Sequence, residues 1–276
     1  MTSTIKGLLA ALATVTIWAI FLVATRFAVR SNFTVEEVLL LRLGTGFLVT
    51  IPLMFKLGII PRGQSVMGAL MLGLGASAIF PYLVSVGLAY APASDAGVLA
   101  PGMLPFWTAL VMFVMTGEHP TKPRLVGLII IFTGALLVGL WQILYGSAEG
   151  AWRGHILFLA GSFLWAIYSA YFKQSGFSPL HGLVIGLFWG TLAIIPFLAL
   201  SGNVSFTGVS PRDFIVMAFL QGVLIAVFAL VLYTIAVRQL GAAQTAAFGA
   251  LTPVSALIGG ALFLDETVTL SKVIGV

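Results

Sequence analysis

The stretch YAPASDAGVLAPGMLPFWTAL, residues 90–110, decides how this chain folds. It reads as a helix that ought not to hold together. Pro92, Pro101 and Pro105 are spread through it, with Gly97 and Gly102 between them. Each proline removes a backbone donor and clashes with the preceding turn. The sequence on either side is strongly apolar. Of the 276 residues, 60% are hydrophobic and 8% charged. A soluble domain carries about 25% charged residues, so this chain lacks the polar groups to cover a water-facing surface. It reads as an all-α integral membrane protein. Unpaired backbone in hydrocarbon is heavily penalised, and a broken helix at that depth must be buried in protein or line a wet cavity. The alternative is a merely kinked packing helix, because Pro and Gly are common in membrane helices.

Working outward, apolar runs long enough to span a bilayer are expected near 5–29, 35–56, 64–90, 93–116, 123–145, 151–173, 179–200, 211–238 and 241–264. A tenth begins near Ser271 and stops at Val276, roughly 15 residues short of a full span. The apolar run at the N-terminus is too long for a secretory signal, and no A-x-A site precedes a soluble domain. Cysteine is absent and the net charge is +5. The basic residues are scattered, which fits anchoring to anionic lipid and gives no nucleic-acid signal. With the N-terminus in the cytoplasm, Lys6, Lys56, Arg62, Lys122, Arg124, Lys173 and Arg238 lie inside. Arg26, Arg30, Arg153, Arg212 and Lys272 lie outside. That bias follows the positive-inside rule weakly.

The chain resembles itself. At a shift of 148, Pro105 falls on Pro253, Glu118 on Glu266, Arg124 on Lys272 and Gly127 on Gly275. At a shift of 147, Gly7 falls on Gly154, Trp18 on Trp165 and Arg26 on Lys173. Two runs in order at nearly one shift imply two homologous halves, 1–146 and 147–276, of five helices each. Five is odd, so the second half is inverted. Inverted repeats mark secondary transporters, with the substrate between the halves near mid-membrane. The ninth helix, GAAQTAAFGALTPVSALIGG, is then the counterpart of the opening stretch, and both are expected to break, near Pro101–Gly102–Pro105 and near Pro253.

Three segments carry a family likeness. LLLRLGTGFLV, GEHPTKPRLVGLIIIFTGALLVG and DETVTLSKVIGV resemble the drug/metabolite transporter superfamily in its ten-helix EamA-type branch. The likeness spans essentially the whole chain. It implies a ten-helix basket with a central cavity and both termini in the cytoplasm. It also implies small-metabolite cargo, most like that of bacterial exporters of aromatic and other amino acids.

Trp18 and Trp165 sit at mid-helix, where an indole N–H needs a partner. Tyr168 shares the face of Trp165, and Tyr82 beside Pro81 is similar. These are substrate-binding candidates, with plain aromatic packing as the alternative. Gln221 and Gln244 either bond across helices or face the pathway. Arg42 is a structural candidate, expected to snorkel toward the interface past Glu36 and Glu37. Gly182, Gly186 and Gly190 form a small-residue ladder for close helix contact, within the chain rather than between copies.

The leading expectation is a monomeric, multi-pass exporter of small neutral or zwitterionic metabolites in the bacterial inner membrane. No cofactor or metal is expected: His119, His155 and His181 show no metal spacing. A multidrug or nucleotide-sugar carrier is the alternative. An intramembrane enzyme is disfavoured, because no nucleophile, base or metal set converges. N–H groups released at the helix breaks are expected to hold a substrate carboxylate. All eight acids map to helix ends or loops, with Asp95 placed to cap the interrupted helix. Transport is therefore expected to be facilitative, without a proton relay.

Overall fold

The computed structural model describes residues 3–145 and 150–276. The expected boundary between the halves, at 146/147, lies outside the described residues, as does Glu149. Among the described residues there are helices and no strands. Nine spans are long and apolar enough to cross a membrane. They are α1 Ser3–Arg30, α2 Val35–Leu57, α3 Val66–Tyr90, α4 Ala93–Thr116, α5 Lys122–Tyr145, α6 Ala151–Ser175, α7 Pro179–Ser201, α8 Pro211–Leu240 and α9 Ala242–Leu264. Then α10 begins, Leu270–Gly275. Side-chain caps start several of them. Thr34 and Glu37 form a reciprocal capping box at α2, and Ser178, Ser210 and Thr269 accept from the first turns of α7, α8 and α10.

Contacts at the helix ends give the directions. On one face, here the near face, Gly7 at the start of α1 lies against Leu240 at the end of α8. There too Lys173 Nζ, at the end of α6, donates to Arg238 O at 3.0 Å. On the far face, Arg26 at the end of α1 donates to Leu88 O at the end of α3, while His155 at the start of α6 meets Asp95 at the start of α4. Helices α1 and α6 therefore run in opposite directions, and the halves are inverted. Packing repeats with them: α1 packs on α8 and α9 as α6 packs on α3 and α4.

The duplication reaches features that sequence reading did not anticipate. Helices α3 and α8 both widen to π-helix, over Met71–Ile79 and Ala218–Ala229. Their starts are 218 − 71 = 147 residues apart, the shift that relates α1 to α6. Helices α2 and α7 are each 23 residues long. Their glycines dock them crosswise: Gly46 faces Ala226 of α8, and Gly186 and Gly190 face Ser77 of α3. Gly182, at the start of the ladder, faces Phe172 of α6. A Cβ at any of the three ladder positions would collide, so the ladder is filled by this chain's own neighbours.

Helix α4 is interrupted. It turns π-helical at Val98–Gly102 and kinks at Met103 before resuming at Leu104. Helix α9 breaks at Ala250–Leu251 and resumes at Thr252. The two breaks cross. Gly97 and Gly102 lie against Pro253, and Gly249 lies against Pro101 O.

Candidate functional site

The crossed breaks leave a cavity between the halves, divided into two crevices by Trp18 and Trp165. Each crevice is nearly shut, with about 10 Å³ of room, the space of about one water. The first is apolar, with Phe21, Phe80, Ala100, Pro101 and Leu104 around the two indoles. The second carries Arg42 and Ser77, beside Ala76 and Leu187. The indoles meet edge to face, with centroids 5.3 Å apart. Tyr233 packs 5.2 Å from each, and Phe80 lies 4.4 Å from Trp165. Trp18 is 8% exposed, Trp165 3%, and Tyr168 and Tyr233 1% each.

Two polar groups lining this space have no hydrogen-bond partner, Arg42 Nη1 and Ser77 Oγ, and Tyr168 Oη beside Trp165 has none either. Buried polar groups are normally paired, so this concentration marks the region as one built to be filled. Other groups are satisfied locally. Ser162 Oγ donates at 2.6 Å to Ala100 O, a carbonyl at the π-helical break. The Tyr233 hydroxyl bonds Ser169.

The far face closes through charges. Helix α4 starts after Pro92, which offers no side-chain cap. The cap comes from the other half. Glu266, in the α9–α10 loop, accepts from Ala93 N at 2.9 Å and Ser94 N at 3.3 Å. The helix dipole favours a carboxylate there. Arg26 Nε lies 3.6 Å from the same carboxylate. Asp95, fully buried, stands 3.0 Å from His155 Nε2 and 3.3 Å from Lys272 Nζ. Lys272 also donates to Ser94 Oγ at 2.7 Å. This latch joins α1, α4, α6, the α9–α10 loop and α10. All three ion pairs found among the described residues belong to it. At the near face, Lys173 and Arg238 reach backbone carbonyls instead, and Glu118, the counterpart of Glu266, is exposed.

Trp18, Trp165 and Pro101 line the cavity, and Tyr168 packs on Trp165 at 5.7 Å. Tyr82 does not join them. It packs against Phe197 of α7, in an apolar groove outside the central cavity. Gln244 is exposed at the start of α9. Gln221 is fully buried and donates across helices to Thr25 Oγ1 at 2.9 Å, so it braces α8 against α1. Pro105 is buried in α4, and Gly102 and Pro253 hold the crossing.

Three further expectations change. Arg42 does not snorkel; its guanidinium turns inward over the Phe21 ring at 4.6 Å. Three backbone N–H groups at the breaks are engaged: Met103 N donates to Pro101 O, Ala250 N to Ala247 O and Leu251 N to Phe248 O. They are not free for a carboxylate. Asp95 is not the cap of α4; it is buried against His155, itself 5% exposed. The sequence argument against a titratable group inside the protein thus loses its premise. Tyr233 and Phe80 were missed, although Tyr233 carries the same signal as Tyr168, a mid-span aromatic with a hydroxyl.

A family model described as the EamA-like transporter family matches the chain twice, over residues 5–140 and 152–276. No curated protein matches it significantly. A solved structure described only as "Crystal structure of protein" aligns with a TM-score of 0.68 at 17% identity, covering 99% of this chain and 92% of that one. That likeness shows the fold.

Proposed function

This chain belongs to the EamA-like transporter family, and from that premise we propose that it moves small amino-acid-like metabolites across the bacterial inner membrane by alternating access. The observation that supports the reading is the pair of narrow aromatic crevices between the halves, with unpartnered Arg42 and Ser77 lining one of them. Inverted halves permit two mirror-related openings about such a site. The N-terminus lies in the cytoplasm, so the charged latch faces outward and must part for export. The protein works as a monomer without cofactor. A guanidinium in the cavity, with no acid beside it, disfavours cationic drugs.

The test is counterflow in liposomes of purified protein, with a panel of labelled amino acids and no pH or voltage difference. Exchange of aromatic members is expected. Flux of none of them would overturn the reading. Strict dependence on an imposed proton gradient, abolished by Asp95→Asn, would make the latch a proton relay and rule out facilitative exchange.

One hydroxyl gives a sharper check. Tyr168 Oη is buried and unpartnered, so Tyr168→Phe removes no internal hydrogen bond and should melt no lower than the parent. If the hydroxyl reaches substrate, one hydrogen bond is lost on binding, and apparent affinity should fall about tenfold. Unchanged flux kinetics would remove Tyr168 from the site.

A further inference from the structure

Arg42 is a cation without an anion. It lies two turns inside α2 and is 6% exposed. None of the ion pairs among the described residues includes it. Its Nη1 has no hydrogen-bond partner. The Phe21 ring beneath it replaces only part of the hydration that burial removes. A buried charge of this kind is ordinarily paired. A further unpartnered donor, Ser77 Oγ, lines the same crevice. A hydroxyl from α3 and a guanidinium from α2 therefore meet at one space beside the Trp165 indole of α6, and no carboxylate of the described residues lines it.

We propose that this crevice is a carboxylate subsite. The substrate's carboxylate pairs with Arg42, whose planar fork matches a carboxylate in geometry, and Ser77 donates to it. The body of the substrate lies across the indoles in the apolar crevice lined by Phe80 and Leu104. With no acid available to hold an ammonium, the amino group is not what the site reads. The substrate class is small organic carboxylates with an aromatic or apolar body, amino acids being members through their carboxylate alone. This rests on the transport reading of the cavity and narrows it.

The test uses purified full chain and three probes of one shape: L-phenylalanine, 3-phenylpropanoate and phenethylamine. Binding is read by thermal shift and tryptophan fluorescence, and flux separately in liposomes. The two carboxylates should bind and the amine should not. Arg42→Gln should weaken carboxylate binding by about 30-fold or more, and Arg42→Lys by less. Without ligand, Arg42→Gln should melt no lower than the parent, because it removes an uncompensated buried charge; an architectural arginine would give a lower melting point. Ser77→Ala supplies a milder variant, expected to lose several-fold in carboxylate affinity. Equal binding of phenethylamine and 3-phenylpropanoate overturns the proposal. So does carboxylate binding unaffected in Arg42→Gln, destabilised unliganded Arg42→Gln, or a parent protein that binds none of the probes. Carboxylate binding without flux in the parent would refute the transport reading and leave the subsite standing. Flux in the parent that Arg42→Gln does not alter would do the reverse.

Discussion

Replacing Asp95 with alanine is expected to destabilise the protein by about 3–5 kcal/mol, the range seen when one partner of a buried ion pair is removed. The carboxylate lies between Lys272 and His155, and all three side chains are buried. Without it, two basic groups face each other with only Ser94 Oγ to accept from the lysine. Lys272→Met is milder, because Asp95 keeps His155. The double variant Asp95→Ala, Lys272→Met should recover much of the loss, since hydrophobic replacement of a whole buried pair is often neutral. Unfolding in detergent measures the cycle. A second reading comes from access. The chain has no cysteine, so Ala100→Cys, inside the cavity, is a clean probe for a membrane-impermeant maleimide. With Lys272→Met added, labelling from the far face should rise. If Asp95→Ala melts like the parent and Ala100→Cys stays shielded, the charges do not hold that face shut.

The helices themselves were legible in the sequence. The expected span 93–116 is the observed Ala93–Thr116, because hydropathy sets length and Pro and Gly mark the breaks. The duplication was legible for the same reason. What was not legible is which way a side chain points around its helix. Lipid and protein interior are equally apolar, so a membrane helix carries no stripe to separate an inward tyrosine from an outward one. Tyr82 and Tyr233 are both mid-span aromatics, and only packing sends one to Phe197 and the other between the indoles. Arg42 follows Glu36 and Glu37 so closely that snorkelling was the simpler reading; its inward turn depends on Phe21 of another helix. Asp95 reads as a cap by position. Its partners lie 60 and 272 − 95 = 177 residues away, and the true cap is Glu266 of the other half. The π-helical stretch MLGLGASAI contains no proline; glycine contacts to α7 accompany it, with Gly73 against Trp189 and Gly186 against Ser77.

The crossing of the breaks yields a pair of variants with opposite expected outcomes. Gly97 lies between the far face and the break in α4. A Cβ there would sit 2.8 Å from Ala256 Cβ and 3.1 Å from Pro253 Cα. Gly249 lies between the near face and the break in α9, and its Cβ would sit 2.6 Å from Pro101 O. In both cases much of the obstruction is backbone, which cannot rotate away as a side chain can. A valine therefore separates the first part of one broken helix from the second part of the other. Overpacking of this kind costs about 1–3 kcal/mol, which a closed state bears and an open state avoids. Gly97→Val should bias the protein open at the far face, and Gly249→Val open at the near face. With Ala100→Cys as the probe, impermeant reagent should label the first variant from the far side only and the second from the near side only. Counterflow should fall in both, because each must still close the side that is propped. Labelling of both from one side, or undiminished counterflow in either, would show that the crossing is a fixed joint and that the gates lie elsewhere.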